Sequence, residues 1–420
     1  MNSILIIAFI IGYTFIAFEN KVHINKAATA LFTGVICWTI YVLFSNNTEH
    51  VILQLGEHVG SISQILFFLI GAMTIVELID SHDGFDVITK QITTHNKRKL
   101  LLILSFITFF LSAVLDNLTT TIVMVTLIRK LLNEKNDRLL FVGMIVIAAN
   151  SGGAWSPIGD VTTTMLWIGG QITTVNIVLK LFVPSFVSMI VPLVLISLMI
   201  KGQFERKNKE NDKKDSIIPK FEKNFIFFLG VSVLIFVPVF KTITHLPPFM
   251  GILIGLSVLW IVTELLHKKK EHEQKITVAK IIRRIDMPSI LFFLGILVAV
   301  AALESTGLLR SLATSMSESI GNLKVISISL GFLSAIIDNV PLVAATMGMY
   351  DLQIFPADHY FWEFIAYCAG TGGSLLIIGS AAGVAAMGIE KIDFFWYLKK
   401  ISIWAFIGYL AGAAVYILFL

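Results

Sequence analysis

Residues 150–160 read NSGGAWSPIGD. They interrupt an apolar run, with FVGMIVIAA before them (141–149) and VTTTMLWIGG after them (161–170). Two adjacent glycines, a proline, a further glycine and a carboxylate do not suit an ordinary membrane helix. A mid-membrane Asp costs roughly 2.5–3.5 kcal/mol on insertion scales. Unwound backbone survives at that depth only where it lines a cavity enclosed by protein or filled with water. The stretch therefore predicts the centre of a transport site within a membrane bundle.

Composition supports the membrane setting. Of 420 residues, 56% are hydrophobic and 14% charged, against about a quarter charged in soluble domains. With mean hydropathy +0.84 and repeated apolar runs of membrane length, the expected fold class is all-α and polytopic. Water-soluble enzymes and nucleic-acid binders are excluded. The net charge of +4 is no nucleic-acid footprint, because the basic residues lie in loops between apolar runs. Cys37 and Cys368 both fall in apolar runs, without disulfide or metal spacing, and read as small buried hydrophobes. The N-terminal stretch lacks a basic n-region and an A-x-A site, so it reads as a retained first helix.

Apolar segments run over about 2–18, 27–44, 61–80, 100–132, 139–170, 176–200, 224–240, 249–267, 288–303, 324–350, 360–389 and 394–418. The polar stretch 81–99 carries a partial apolar face (Phe85, Val87, Ile88, Ile92) that suits the membrane interface. Landmarks recur in order. ILFFL stands at 65–69 and 290–294, an apolar-Asp-Asn triplet at 115–117 and 337–339, and small-Gly-Gly at 151–153 and 371–373, each of the last followed six residues later by Gly159 or Gly379. Such paired Gly-interrupted segments mark the binding site of repeat-built transporters. The domain reading is an extra N-terminal helix (1–26), a first repeat (27–200), a charged cytoplasmic linker with a connecting helix (201–247) and a second repeat (248–420).

Charge sets the expected topology. If both Asp-Asn segments crossed the membrane, Lys97, Arg98 and Lys99 would lie opposite Arg129, Lys130, Lys135 and Arg138. If each turns back at its Asp-Asn tip, all but four of the 32 Lys and Arg residues face one side. The exceptions are Lys180, Lys241, Arg310 and Lys324. The positive-inside rule selects the hairpins. Ten crossings follow, with two re-entrant hairpins entering from opposite sides, both termini outside, and inverted repeats suited to alternating access.

The polar residues at these breaks carry the chemistry. Asp116 and Asn117 form one tip, Asp338 and Asn339 the other. Asp160 ends the first unwound stretch, where its repeat partner is Ser380. Asn150, Ser151 and Thr162 complete the expected cation and proton site, with Thr119, Thr120, Thr163, Ser374 and Ser380 as secondary candidates. Hard oxygen ligands and carboxylates without matching buried Lys or Arg suit a small hard cation such as Na⁺, held at Asp116, Asp160 and Asp338. Burial favours the neutral form of a carboxyl, so a proton competes for the same oxygens. Mutually exclusive binding of Na⁺ or H⁺ is the minimal antiport mechanism. The main contest is expected at Asp116 and Asp160, with Asp338 in support. The plainer alternatives are a helix cap for a single Asp, helix–helix glue for Thr164, and interfacial solvation for Glu77, Asp80 and Glu304. Glu77 is the sharper candidate for a proton path. All nine histidines map to loops or helix ends and read as surface residues; His23, His82 and His95 could sense cytoplasmic pH.

The segments AANSGGAWSPIGDVTTTMLWI (148–168), LDNLTTTIVM (115–124) and IDNVPLVAA (337–345) resemble the NhaD-type sodium/proton antiporters, relatives of arsenite permeases and dicarboxylate carriers. The resemblance covers essentially the whole chain. It implies Na⁺(Li⁺)/H⁺ exchange across a bacterial inner membrane, strongest at alkaline pH, by a fold of two inverted repeats that often dimerises. It implies no cofactor beyond the transported ions, and no enzymatic activity. Matching motif positions place the family's site residues on Asp116, Asn117, Asn150, Asp160, Thr162, Asp338 and Asn339. A sodium-coupled dicarboxylate carrier is the runner-up; such carriers resemble Ser-Asn-Thr at the tips, whereas two tip carboxylates repel a divalent anion. The AWSPIGD match argues against an arsenite permease. An intramembrane aspartyl protease resembles G-x-G-D, which Pro157 breaks here. The inverted repeat favours a carrier over a passive channel.

Overall fold

The computed structural model describes residues 1–17, 19–89, 92–200, 202–204, 218–268 and 276–419. Much of the charged linker (201 and 205–217) and part of the second basic loop (269–275) lie outside them. The first half contains α1 (Asn2–Ala17), α2 (Glu19–Val22), α3 (Lys26–Phe44), α4 (Thr48–Ser81), α5 (Asp86–Thr89), α6 (Lys97–Leu115), α7 (Asn117–Leu131), α8 (Lys135–Ala154), α9 (Val161–Ile168) and α10 (Thr174–Met199). The second contains α11 (Lys220–Thr244), α12 (Pro248–Leu266), α13 (Val278–Ile282), α14 (Met287–Ser305), α15 (Leu308–Ile320), α16 (Leu323–Ser334), α17 (Asn339–Met349), α18 (Tyr360–Gly372), α19 (Ala381–Glu390), α20 (Phe394–Lys400) and α21 (Ser402–Phe419).

Nine of the described helices are long and apolar enough to cross a membrane. Their outward faces carry large apolar side chains, among them Phe32, Leu43, Leu179 and Ile243, each at least 69% exposed. Water would penalise such a surface; lipid does not. The chain is a multi-pass, all-helical membrane protein.

Both expected hairpins form. Only Asp116 separates α6 from α7, and the two helices pack on each other. Lys97 at the start of α6 pairs with Asp137, just beyond the end of α7, so both ends of the hairpin lie together. In the second hairpin (α16–α17), Arg310 on α15 sits 3.5 Å from Asp351, just beyond α17. The hairpins enter from opposite ends. Arg129 and Arg138, at the base of the first, both pair with Glu390 at the end of α19 (3.2 and 3.1 Å). Near the base of the second, Asp358 accepts from the Thr173 N–H and hydroxyl, just beyond α9. The start of α8 thus meets the end of α19, and the end of α9 meets the approach to α18. The two broken helices run antiparallel.

Packing repeats in matched pairs. Helix α6 packs on α8 as α16 packs on α18, and α3 on α14 as α4 on α12. Crosswise, α7 packs on α19 as α17 packs on α9. Each hairpin therefore leans on the break of the opposite half.

Four sequence expectations change. Helix α4 starts at Thr48, not 61, because Asn47 caps it by accepting from the His50 N–H (3.1 Å) and a polar first turn carries it beyond the apolar zone. The 81–99 stretch does not lie free along the interface: Phe85 and Ile92 are buried, and Phe85 stacks edge-on against Phe227. Residues 308–320, unassigned in the sequence, form α15 between left-handed Gly307 and Gly321, with Leu309 and Ala313 turned inward. Finally, His82 and His267 are buried rather than superficial.

Candidate functional site

The two breaks are built alike. Between α8 and α9, and between α18 and α19, the chain leaves the helix at a glycine pair. A Cβ on Gly152 would sit 2.2 Å from the Phe109 carbonyl oxygen, and one on Gly372 would sit 2.3 Å from that of Gly331. Only hydrogen lets the broken helix touch its hairpin backbone there. Ser112 donates to the Ala149 carbonyl (2.6 Å) and Ser334 to the Ala369 carbonyl (2.8 Å), closing each contact with one buried hydroxyl. Asp160 and Ser380 then start α9 and α19 as N-caps, a role that favours short oxygen side chains.

These breaks converge on Asp160, which is 2% exposed. Its Oδ1 accepts the Thr162 N–H and hydroxyl, both at 2.8 Å. Asn117, at the first hairpin tip, donates through Nδ2 to the other carboxylate oxygen. Asn339, at the second tip, places its Nδ2 at 3.3 and 3.4 Å from the two oxygens. Asn117 also donates to Asn150 Oδ1 (3.0 Å), and Asn150 donates to Ser374 Oγ and Ser380 Oγ, both at 2.9 Å. One buried polar chain thus runs from Asp160 across the contact between halves to Ser380, its counterpart in the other break. No Lys or Arg among the described residues hydrogen-bonds to the Asp160 carboxylate.

Asp116 takes a different position. It caps α7, accepting the Thr119 N–H and hydroxyl at 2.8 Å each. Its backbone sits at φ 83°, ψ 158°, a conformation that costs a non-Gly residue about 1–3 kcal/mol. The tight reversal between α6 and α7 imposes this strain. A cavity of about 20 Å³ lies against Asp116, lined also by Met73, Ile158 and Thr164. That is room for about one water molecule, and for a small cation.

Asp338 caps α17 through the Val340 N–H (3.3 Å) and faces Lys26, 3.8 Å away, in an 80 Å³ cavity shared with Glu19 and Tyr13. Lys26 is a cationic neighbour that the sequence reading missed. Its position as the first residue of α3, with no motif around it, offered no signal. Asp116 and Asp338 both flank Asp160 closely enough for their charges to interact with it.

The remaining candidates separate. Thr163 caps back to the Asp160 carbonyl (2.9 Å). Ser151 faces away from the cluster and accepts from Ser188 on α10 (2.8 Å). The Thr120 hydroxyl is buried without a described partner. Glu77 lies near the C-terminal end of α4, accepting from Ser81 (3.5 Å) and 3.9 Å from Arg284, in no hydrogen bond with the cluster. Cys37 and Cys368 are fully buried and free.

Comparison with known proteins agrees with this architecture. A family model described as citrate transporter (CitMHS) matches residues 13–362. Sodium/proton antiporter 1 of Arabidopsis thaliana is 52% identical over 97% of this chain and 70% of its own length. Sodium/proton antiporter 2 of the same plant is 47% identical over 97% of both. The Na⁺/H⁺ antiporter NhaD of Alkalimonas amylolytica is 30% identical over 99% of this chain and 90% of its own. With this coverage and the doubled hairpin-and-break architecture, the chain belongs to the CitMHS transporter family and, within it, to the NhaD-type sodium/proton antiporters.

Proposed function

We propose that the protein exchanges Na⁺ or Li⁺ for H⁺, with cation and proton competing for Asp160 and, beside it, Asp116. The observation that carries this reading is the Asp160 cluster. A buried carboxylate sits where two helix breaks and two hairpin tips meet, surrounded by amide and hydroxyl groups rather than guanidinium or ammonium. Such a set suits a hard monovalent cation and repels a di- or tricarboxylate, which disfavours citrate or succinate as cargo. Turning the Asn117 or Asn339 amide about its last torsion replaces an N–H donor with an oxygen ligand. Asp160 can therefore be served by donors when it is an anion and share oxygens with a cation. Asp338, paired with Lys26, tunes the field from the second half.

Alternating access is carried in this proposal by inverted repeats at 27–200 and 248–420, joined through 201–247, with 1–26 as an added helix. Both termini lie on the face opposite the basic loops. A bacterial inner membrane and a homodimer, implied by the sequence resemblance, belong to the same proposal. The test is proton movement in everted vesicles or proteoliposomes on adding Na⁺, Li⁺, K⁺, succinate or citrate. Na⁺ and Li⁺ are expected to move protons and the carboxylates are not. The absence of any Na⁺- or Li⁺-dependent proton movement at neutral and alkaline pH overturns the proposal.

A further inference from the structure

Away from the transport site, three helix ends meet at a buried cluster. His82 caps the C-terminus of α4, His267 caps the C-terminus of α12, and Glu222 lies in the first turn of α11. All three are at most 5% exposed. His82 Nδ1 lies 2.7 Å from the Leu78 carbonyl oxygen and His267 Nδ1 lies 3.0 Å from that of Ile276. A carbonyl only accepts, so both Nδ1 atoms carry hydrogen and each Nε2 points inward. His267 Nε2 lies 2.6 Å from Glu222 Oε1, and His82 Nε2 lies 3.8 Å from the same oxygen. The rings stack at 5.3 Å, nearly parallel. At 2.6 Å, His267 Nε2 and Glu222 Oε1 need either a proton or a metal between them, and His82 Nε2 faces the same oxygen.

We infer that His82, Glu222 and His267 form a binding site for a divalent transition metal of the Zn²⁺ class, one that pins the first half of the protein to the second. Two features favour a metal. The Nδ1–H to carbonyl bonds are the outer-shell arrangement that fixes the tautomer of metal-bound histidines. The three candidate ligand atoms lie within 4.8 Å of one another, so small side-chain shifts bring them to the separation of about 3.3 Å that tetrahedral Zn²⁺ with bonds of about 2.0–2.2 Å imposes. Two helix C-termini also direct their carbonyl ends towards the cluster, which favours a cation there. Next to it, Lys223 pairs with Asp83 and Asp86 (2.8 and 3.1 Å), so a second clamp already joins α11 to the end of α4.

The experiment uses the full chain in detergent, without a polyhistidine tag. Zn²⁺ content is measured after dialysis, Co²⁺ serves as the spectroscopic probe, and thermal unfolding is followed with and without Zn²⁺. The expected result is stoichiometric Zn²⁺, a tetrahedral Co²⁺ spectrum and a raised unfolding temperature. His82→Gln, His267→Gln and Glu222→Gln should each weaken Zn²⁺ binding more than about a hundredfold, the upper end of the loss caused by removing an outer-shell partner. Retained Na⁺-dependent exchange identifies the variants that fold. A cluster held by a proton alone takes up no stoichiometric metal, and that result overturns the proposal, as does metal uptake unchanged in the folded variants.

Discussion

Replacing Asp160 by Asn keeps the shape of the side chain and removes its charge. Oδ1 of the new amide can still accept the Thr162 N–H and hydroxyl that Asp160 accepts at 2.8 Å. Its NH₂ would then face the amide nitrogens of Asn117 and Asn339. Asn117 can reverse only if Asn150 reverses with it, with Ser374 and Ser380 then donating instead of accepting. Asn339 can keep a long bond to Oδ1 (3.4 Å) or turn its own amide, so at most one donor is left without an acceptor. A buried unsatisfied donor costs about 1–3 kcal/mol, a loss that leaves most membrane proteins folded. The functional effect is larger. A unit charge 4 Å from a cation, at an effective dielectric of about 20, is worth about 4 kcal/mol, or roughly a thousandfold in Na⁺ affinity. The neutral side chain also has no acidic proton to exchange. Na⁺ titration of ΔpH dissipation in everted vesicles should therefore show no exchange at Na⁺ concentrations that saturate the wild type, while detergent-solubilised Asp160→Asn stays monodisperse. A folded variant whose half-saturating Na⁺ lies within about threefold of wild type would refute the electrostatic reasoning, because a thousandfold term cannot be absent from the transport cycle.

Further outcomes follow from the same geometry. Asp338→Asn keeps the Val340 N-cap and removes the charge that faces Lys26 at 3.8 Å and acts on Asp160; exchange should persist with weakened Na⁺ affinity, and a loss as complete as that of Asp160→Asn would contradict the division of roles. Gly152→Ala and Gly372→Ala push a methyl onto a backbone carbonyl and should cost about 1–3 kcal/mol or more in thermal unfolding. Gly388→Ala, with nothing within 4 Å, should be neutral or slightly stabilising; equal effects at the three positions would count against the close-packing argument. Cysteines placed at Thr93 and Asn136 should be labelled from one membrane face and one at Ser315 from the other. The fully buried native Cys37 and Cys368 should remain silent, and opposite faces for Thr93 and Asn136 would dismantle the first hairpin.

Much of this protein was legible from local chemistry. Apolar length marks a membrane helix because hydrocarbon leaves the backbone no partner but itself. Gly-Gly, Pro and Asp inside such a run mark a break for the same reason. Charge asymmetry is a local property of loops, and the Lys97–Asp137 pair and the Arg129/Arg138–Glu390 pairs bear out the hairpins that it selected. The Asp-Asn motifs marked the residues that stand at both hairpin tips.

Tertiary packing decided how those residues share the work. Nothing in the sequence distinguishes Asn117 and Asn339, which reach Asp160, from Asp116 and Asp338, which cap their own helices. A one-residue step along a helix start rotates a side chain by about 100°, and the crosswise packing of hairpin on opposite break determines which way is inward. Ser151 belongs to the same motif as Asn150, yet that rotation turns it to α10. Lys26 and Asp338, and likewise His82 and Glu222, are separated in sequence by more than a hundred residues, so only the closed bundle brings them together. Sequence alone determined the helices, their breaks and the polar residues placed at them, because each depends on a few neighbouring residues. The closed bundle decided which carboxylate lies at the centre, because that depends on where helix ends from both halves meet.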